Sequence, residues 1–381
     1  MARLFNAFKF VTFLAVAGTF GSTGTALAQE GDGLRMIWRA ETGRPTNIAP
    51  VVSGNHLFII PEDGPLMVFD AKSGAKKWTY APPSGVWDRG YGADGERVYV
   101  CERGGKIVAL KIANGAFVWR ASLGIDCQRP PHFSNGVMYV STTFVGPGLP
   151  GDTLTGAKLF ALDPVTGKIH WSFTSEDYLL QTALRKDNTV YVGGNFKDPN
   201  RIVDEGGMMR IYALDAETAA VKWVHESEMG SPKALYATDE TVNYVGYQDF
   251  IIGLNAADGT QIWKRDTGNW TPSLAGQDGI VYFGVANRFV YAWKSATGDD
   301  HWTYKIEGPP FDYLLIKPLF VGDRVYFMSQ RGNVHALNLE TGELLWNHPT
   351  GVISRVGITV SDGYVYMGDI NGGVYGYRIK K

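Results

Sequence analysis

The sequence is dominated by one repeated pattern, in which a short apolar run leads into a polar turn and a tryptophan follows four residues after a glycine. Its clearest copy is Ala336–Trp346, with the turn at Thr341-Gly342. We interpret the pattern as a β-hairpin, because glycine accepts the positive φ of a tight turn and the tryptophan then falls on the returning strand. The further copies end at Gly74–Trp78, Gly115–Trp119, Gly167–Trp171, Gly259–Trp263, Gly298–Trp302 and, with alanine in place of glycine, Ala219–Trp223.

An eighth copy is divided between the two ends of the chain. Residues 373–379 resemble the first strand of the hairpin without its turn, and Met36-Ile37-Trp38 resemble the returning strand without its predecessor. The tryptophans of the eight copies are 39 to 52 residues apart, which is the period of a four-stranded propeller blade. We therefore predict an all-β fold, an eight-bladed β-propeller whose last blade is closed by the N- and C-terminal strands.

The N-terminal segment has the features of an export signal. Arg3 and Lys9 precede an apolar run, and Ala26-Leu27-Ala28 provides small residues before Gln29. The run is shorter than the roughly 20 residues of a membrane-spanning helix. We predict a signal peptide over residues 1–28, a single propeller over residues 29–381 and a periplasmic location. No cysteine follows the predicted cleavage site, so no lipid anchor is apparent, and no transmembrane segment is expected in the mature chain.

The glycine-to-tryptophan turn resembles the tryptophan-docking motif of the pyrroloquinoline-quinone-like (PQQ-like) propeller repeat family, over roughly residues 34–381. In that family the tryptophan packs into the neighbouring blade. The resemblance therefore implies that eight tryptophans are structural docking residues: Trp38, Trp78, Trp119, Trp171, Trp223, Trp263, Trp302 and Trp346. Two classes of protein share this repeat, namely the quinoprotein alcohol dehydrogenases, which hold PQQ and calcium in the central channel, and the BamB-like scaffold of outer-membrane β-barrel assembly, which has no cofactor.

The sequence favours the scaffold over the enzyme. The dehydrogenases are longer and carry a disulfide between adjacent cysteines over the quinone, whereas Cys101 and Cys127 are far apart. No set of Asp, Glu and Asn is placed for a calcium-bound quinone. We therefore expect an exported, non-catalytic scaffold or binding propeller without a cofactor, in outer-membrane protein assembly or another envelope complex. The alternative is a PQQ-dependent oxidoreductase that uses PQQ with calcium, or a sensor of a small planar ligand in the channel.

Charge and motifs argue against several other functions. The net charge of −2, without a basic block, argues against a nucleic-acid partner. The seven histidines show no ligand spacing; His170 and His301 each precede a docking tryptophan and are expected at the surface. The acidic loop around Asp198 lacks the spacing of a calcium site. We assign no metal ligand and no catalytic residue.

The pairing of the two cysteines is open at this point. In an oxidising compartment Cys101 and Cys127 either form a disulfide, which contributes about 3 kcal/mol on the chain-entropy model, or remain two buried thiols.

Residues that depart from the repeat gather where the chain enters the innermost strands. Trp87 and Trp270 fall there in the second and sixth blades, which face each other in a ring of eight. Either these indoles flank the channel mouth and bind a planar ligand or a peptide, or they pack against their own loops. Charged residues nearby indicate a polar funnel of mixed sign. The candidate channel-mouth residues are Trp87, Arg89, Arg129, Tyr178, Lys233, Trp270, Tyr313, Lys317 and Arg355.

Two enlarged loops, residues 143–155 and 195–207, lie between the second and third strands of the third and fourth blades. An antiparallel blade places these loops on the side where the chain enters the innermost strand. Their apolar content predicts a surface for a periplasmic or outer-membrane protein partner, with mutual packing as a cap as the alternative. The candidate contact residues are Phe144, Leu149, Phe196, Ile202, Met208 and Met209.

Overall fold

The computed structural model describes residues 33–143, 156–175, 177, 179–196, 208–227, 232, 234–246, 249–307, 314, 317–354 and 356–380. All the secondary-structure elements defined within these ranges are β-strands. They form eight small antiparallel sheets in a ring, which confirms the predicted eight-bladed propeller. The predicted signal peptide, residues 1–28, lies outside the described residues.

The strands follow the chain in blade order, from the innermost strand of each blade outwards. The outermost strand of blade 8 is β1 (Leu34–Glu41). Blade 1 contains β2 (Val51–Ser53), β3 (His56–Ile59), β4 (Leu66–Asp70) and β5 (Lys76–Tyr80). Blade 2 contains β6 (Val86–Ala93), β7 (Arg97–Glu102), β8 (Lys106–Lys111) and β9 (Phe117–Ser122). Blade 3 contains β10 (His132–Ser134), β11 (Val137–Ser141), β12 (Lys158–Leu162) and β13 (Ile169–Thr174).

The innermost position of blade 4 is divided between β14 (Leu179–Leu180) and β15 (Leu184–Lys186), which both pair with β16 (Thr189–Phe196); β17 (Met208–Asp215) and β18 (Val221–Ser227) follow. Blade 5 contains β19 (Leu235–Ala237), β20 (Thr241–Val245), β21 (Phe250–Asn255) and β22 (Gln261–Asp266). Blade 6 contains β23 (Leu274–Gln277), β24 (Ile280–Gly284), β25 (Phe289–Lys294) and β26 (Asp300–Lys305). Blade 7 contains β27 (Leu319–Val321), β28 (Arg324–Met328), β29 (Asn333–Asn338) and β30 (Leu344–Pro349), and blade 8 contains β31 (Ile358–Ser361), β32 (Tyr364–Gly368) and β33 (Gly373–Ile379) besides β1.

The ring is closed by the two ends of the described chain. β1 pairs antiparallel with β33, and Trp38 lies opposite Gly376. Thr42 Oγ1 donates a hydrogen bond to Gly372 O at 2.9 Å across 330 residues of sequence. The predicted closure of the last blade is therefore confirmed.

Buried apolar side chains form eight clusters, and each cluster draws on two neighbouring blades. Between blades 8 and 1, for example, Trp38 and Tyr366 pack with Leu57 and Phe69. The core of the propeller is thus a ring of interfaces, because every blade is apolar on both faces.

The docking tryptophans occupy outermost strands and reach into the following blade. Trp302 Nε1 donates to Leu339 O at 3.0 Å. The same hydrogen bond, 2.9 to 3.0 Å long, joins Trp38 to Ala71, Trp78 to Ile112, Trp119 to Pro164, Trp171 to Ala216, Trp223 to Ala256 and Trp263 to Ser295. Trp346 differs: its Nε1 is buried and has no acceptor among the described residues. In blade 8 the chain continues past β33, where Lys380 N donates to Gly33 O, and does not form the turn that supplies the acceptor elsewhere.

The turn glycines meet two requirements at once. Gly342 has a φ of +72°, as the sequence predicted for this position. It also lies under the indole of the preceding blade, since a Cβ at Gly342 would be 2.5 Å from Trp302 Cδ2. Ala219 takes the same backbone conformation, with a φ of +61°.

The two rims of the propeller carry different connections. We call the rim with the turns between first and second and between third and fourth strands the hairpin rim. The opposite entry rim carries the segments that lead into the innermost strands and the connections between second and third strands. Thr143, just after β11, illustrates this: its N donates to Asp126 O at 2.9 Å, and it forms a β-bridge with Leu179 on the entry to blade 4. The enlarged loop of blade 3 therefore begins on the entry rim.

Candidate functional site

Trp87 lies on the entry rim in an irregular part of β6, where the register with β7 shifts between Val86 and Tyr91. The guanidinium carbon of Arg103 is 4.8 Å from the centre of its ring, and the indole packs against the cluster that blades 2 and 3 share. Its Nε1 is buried and has no acceptor in the described residues. One face of the ring is thus covered by the guanidinium group of Arg103.

Trp270 is more open than Trp87. Its side chain is 40% exposed, and its main-chain oxygen accepts a hydrogen bond from Ala286 N at 3.0 Å. The backbone is therefore fixed on the entry rim of blade 6 while the ring faces solvent. Four other candidates for the channel mouth lie outside the described residues: Tyr178, Lys233, Tyr313 and Arg355.

Arg89 and Arg129 are brought together by two close contacts between their segments. A Cβ at Gly90 would be 2.8 Å from Cys127 O, and a Cβ at Gly92 would be 3.0 Å from Pro131 Cγ, so these two segments of the chain run side by side. Burial lowers the pKa of Arg129, and the positive charge of Arg89 lowers it further. The two guanidinium groups therefore form a cationic pair at the junction of blades 2 and 3.

Lys317 precedes β27 in blade 7, and His132 begins β10 in blade 3, on the opposite side of the ring. The pKa of His132 is lowered by burial and also by the positive charge of Lys317. Both residues lie at the starts of innermost strands in opposite blades, close enough for the charge of Lys317 to act on His132. Lys317 keeps contact with solvent there, yet desolvation by the dense surroundings lowers its pKa.

The carboxylates of the entry rim are engaged in structural hydrogen bonds. Asp88 Oδ2 accepts from Asn47 Nδ2 at 2.7 Å. Asp126 Oδ1 accepts from the main-chain nitrogens of Gly104 and Gly105 at 2.8 and 2.7 Å. Asp177 Oδ2 accepts from Tyr212 Oη at 2.6 Å inside blade 4. The described carboxylates of the funnel are therefore engaged in hydrogen bonds, whereas Arg89 and Arg129 form none with the described residues.

The prediction for the enlarged loops needs one correction. Met209 does not lie on a loop: it belongs to β17, and its side chain is fully buried in the cluster between blades 4 and 5. Its assignment to the partner surface was wrong, because the strands of blade 4 extend further than the repeat suggests. Phe196 and Met208 are the terminal residues of β16 and β17 and lie opposite each other. Phe144, Leu149 and Ile202 lie outside the described residues.

Cys101 and Cys127 form a disulfide with a Cα–Cα distance of 5.7 Å. It joins β7 of blade 2 to the entry segment of blade 3, two residues before Arg129. The bond therefore fixes the junction at which the two arginines meet.

Sequence reasoning missed Arg103 and His132. Arg103 lies between β7 and β8, and the rule that placed the enlarged loops on the entry rim would have placed it there as well. No sequence pattern indicated a role for His132, because the residue that acts on it, Lys317, belongs to a blade that is distant in sequence. The folded ring places Arg103 beside Trp87 and His132 within the electrostatic influence of Lys317.

The described part of the chain contains neither a metal-binding cluster nor a membrane-spanning helix. No group of three or more His, Cys, Asp and Glu comes together there as a metal site. In the same ranges no helix is long and apolar enough to cross a bilayer.

Comparison with known proteins decides the family. The sequence matches the model described as outer membrane protein assembly factor BamB over residues 12–86, 81–156, 141–251 and 248–381. The chain belongs to this family. The BamB of Moranella endobia (strain PCIT) is 22% identical over 314 residues, which cover 79% of this chain and 77% of that protein.

Solved structures show the same fold. The crystal structure of BamB from Moraxella catarrhalis matches with a TM-score of 0.66 and 19% identity, covering 91% of this chain and 100% of that one. The computationally designed protein Ika8 matches with a TM-score of 0.70 and 18% identity, covering 92% of this chain and 100% of that one. A quinone-dependent alcohol dehydrogenase subunit of Komagataeibacter europaeus is 24% identical over 82% of this chain, but this chain spans 34% of that protein. The quinoproteins are therefore the more distant relatives of this BamB-family chain.

Proposed function

We propose that this protein is a periplasmic scaffold that binds a protein partner in outer-membrane protein assembly and performs no catalysis. The observation that carries the proposal is the match to the BamB family over nearly the whole chain. The relatives' name assigns them to outer-membrane protein assembly, a task that requires protein contacts. The quinoprotein alternative is not proposed, since no feature of the described site favours it.

The partner surface belongs on the entry rim. Thr143 joins the start of the blade 3 loop to the entries of blades 3 and 4. The blade 4 loop connects the end of β16 to the start of β17, and these two strand ends pair with each other. A closed ring of eight apolar interfaces holds these points rigidly, and rigid scaffolds commonly present binding residues on loops. The proposal therefore places the partner against the loops of residues 144–155 and 197–207.

A complementation experiment tests the proposal. A strain that lacks the gene receives the wild-type protein, a variant with both loops replaced by short Gly-Ser turns, or Glu340→Ala, which alters an exposed residue on the hairpin rim. The folded amount of outer-membrane β-barrel proteins is measured by heat-modifiable gel mobility. We expect the wild type and Glu340→Ala to restore it and the folded loop variant to fail. Unchanged barrel proteins in the deletion strain would refute the function; full rescue by the loop variant would refute the location.

A further inference from the structure

The cationic pair at the junction of blades 2 and 3 forms no ion pair within the described part of the chain. Arg89 and Arg129 form no hydrogen bond or ion pair with any described residue, and Arg129 Nε is buried without an acceptor. The indole nitrogen of Trp87, two residues before Arg89, is also a buried donor without an acceptor. The junction thus carries two buried donor nitrogens without an acceptor among the described residues, Trp87 Nε1 and Arg129 Nε, and the exposed guanidinium group of Arg89.

This arrangement is unfavourable for the protein alone. A buried donor without an acceptor costs about 1 to 3 kcal/mol, and more when it carries charge. The neighbouring carboxylates do not accept these donors: Asp88 accepts a hydrogen bond from Asn47, and Asp126 accepts two from Gly104 and Gly105. The disulfide of Cys127 also restrains the segment that carries Arg129. A site that is rigid, cationic and rich in donors is suited to an acceptor from outside the chain.

Guanidinium groups match one kind of ligand especially well. Their planar forks bind the oxygens of phosphate and carboxylate groups with two parallel hydrogen bonds. Lys317 adds a third positive charge from the opposite blade. We propose that the channel binds a small phosphate-type oxyanion, held by Arg89 and Arg129 at the junction of blades 2 and 3 and faced by Lys317 across the channel.

The test is a titration of the purified protein with inorganic phosphate at constant ionic strength, balanced with chloride. Binding is followed by the melting temperature and by the ³¹P line width. We expect the melting temperature to rise with phosphate but not with chloride, because a ligand that binds the folded state stabilises it. Arg129→Gln and Lys317→Gln should each weaken binding by about tenfold or more, which corresponds to the loss of one charge-assisted hydrogen bond. Arg35→Gln, which removes an exposed arginine on β1, is the matched control and should bind as the wild type does.

A second readout separates binding from stability. In chloride alone, Arg129→Gln should melt at or above the wild-type temperature, because it removes a buried charge that Arg89 repels. The proposal is overturned if the wild type does not respond to phosphate, if both channel variants respond as the wild type does, or if Arg35→Gln loses the response equally. The last result would show general screening of surface charge and no site in the channel.

Discussion

The indole nitrogen of Trp302 donates a hydrogen bond to the main-chain oxygen of Leu339 in the next blade, at 3.0 Å. The equivalent nitrogen of Trp346 has no acceptor among the described residues. Both indoles are similarly buried, with 8% and 7% of their surface exposed. The pair therefore separates the contribution of this hydrogen bond from that of the ring.

Replacing each of these tryptophans by phenylalanine keeps an aromatic ring and removes the N–H group. We expect Trp302→Phe to lower the free energy of unfolding by about 1 to 3 kcal/mol more than Trp346→Phe. The first change removes the shorter of two hydrogen bonds to Leu339 O, which keeps the one from Tyr282 Oη at 3.3 Å, whereas the second removes a buried donor that has no acceptor among the described residues. Urea denaturation of both variants measures the difference. Equal losses would mean that the hydrogen bond contributes nothing to docking.

The turn residues provide a second matched pair. Gly342→Ala should destabilise the protein by about 2 to 4 kcal/mol, since it adds left-handed backbone strain to a clash with the indole of Trp302. Ala219→Gly should stabilise it by about 0.5 to 1 kcal/mol, because the strain relieved exceeds the added entropy of the unfolded chain. Thermal unfolding of the two variants measures whether each change lowers or raises the stability. A stabilising Gly342→Ala would contradict the close approach of the blades.

The disulfide should contribute to stability. The double variant Cys101→Ala/Cys127→Ala should lose about 3 kcal/mol on the chain-entropy model. Dithiothreitol should lower the urea midpoint of the wild type towards that of the variant and leave the variant unchanged. A wild type whose midpoint is the same with and without reductant, and equal to that of the variant, would show that the bond adds no stability.

Asp70 makes stability depend on acid pH. Burial raises its pKa, but the hydrogen bonds from Lys77 and Ser73 outweigh burial and lower the pKa from 3.8 to about 2. Because the folded-state pKa lies below the unfolded one, this contribution is fully present above about pH 4 and is lost as the pH falls towards 2. Asp70→Asn should reduce the pH dependence of the melting temperature in this window. Asn255 and Asn338 show that asparagine suits the equivalent turn, since the Oδ1 of each accepts a main-chain N–H.

The repeat predicts the fold well because its signals are local. Gly342 and Trp346 lie in the same hairpin, so sequence spacing alone indicates the turn and the returning strand. The exact length of a strand is not encoded as clearly, and Met209 was assigned to a loop for that reason.

The candidate site was predicted less well because it depends on distances between blades. Arg89 and Arg129 were identified individually, but their meeting depends on the contact of Gly90 with Cys127. The pairing of Cys101 with Cys127 likewise required the 5.7 Å Cα separation that only the folded ring provides. Residues in different blades become neighbours through packing, and the periodicity of the sequence does not predict which residues these are.

The pairing of β1 with β33 imposes an order on folding. Strands of the other blades follow one another along the chain and close short loops, whereas Met36 pairs with Tyr377 at the far end of the sequence. A chain that folds from its N-terminus therefore carries β1 as an open edge until its final strand is available, and open edges pair readily with other chains. We therefore expect the lifetime of this edge to limit the yield of folded protein, and agents that shield it to raise the yield without changing the stability of the finished ring.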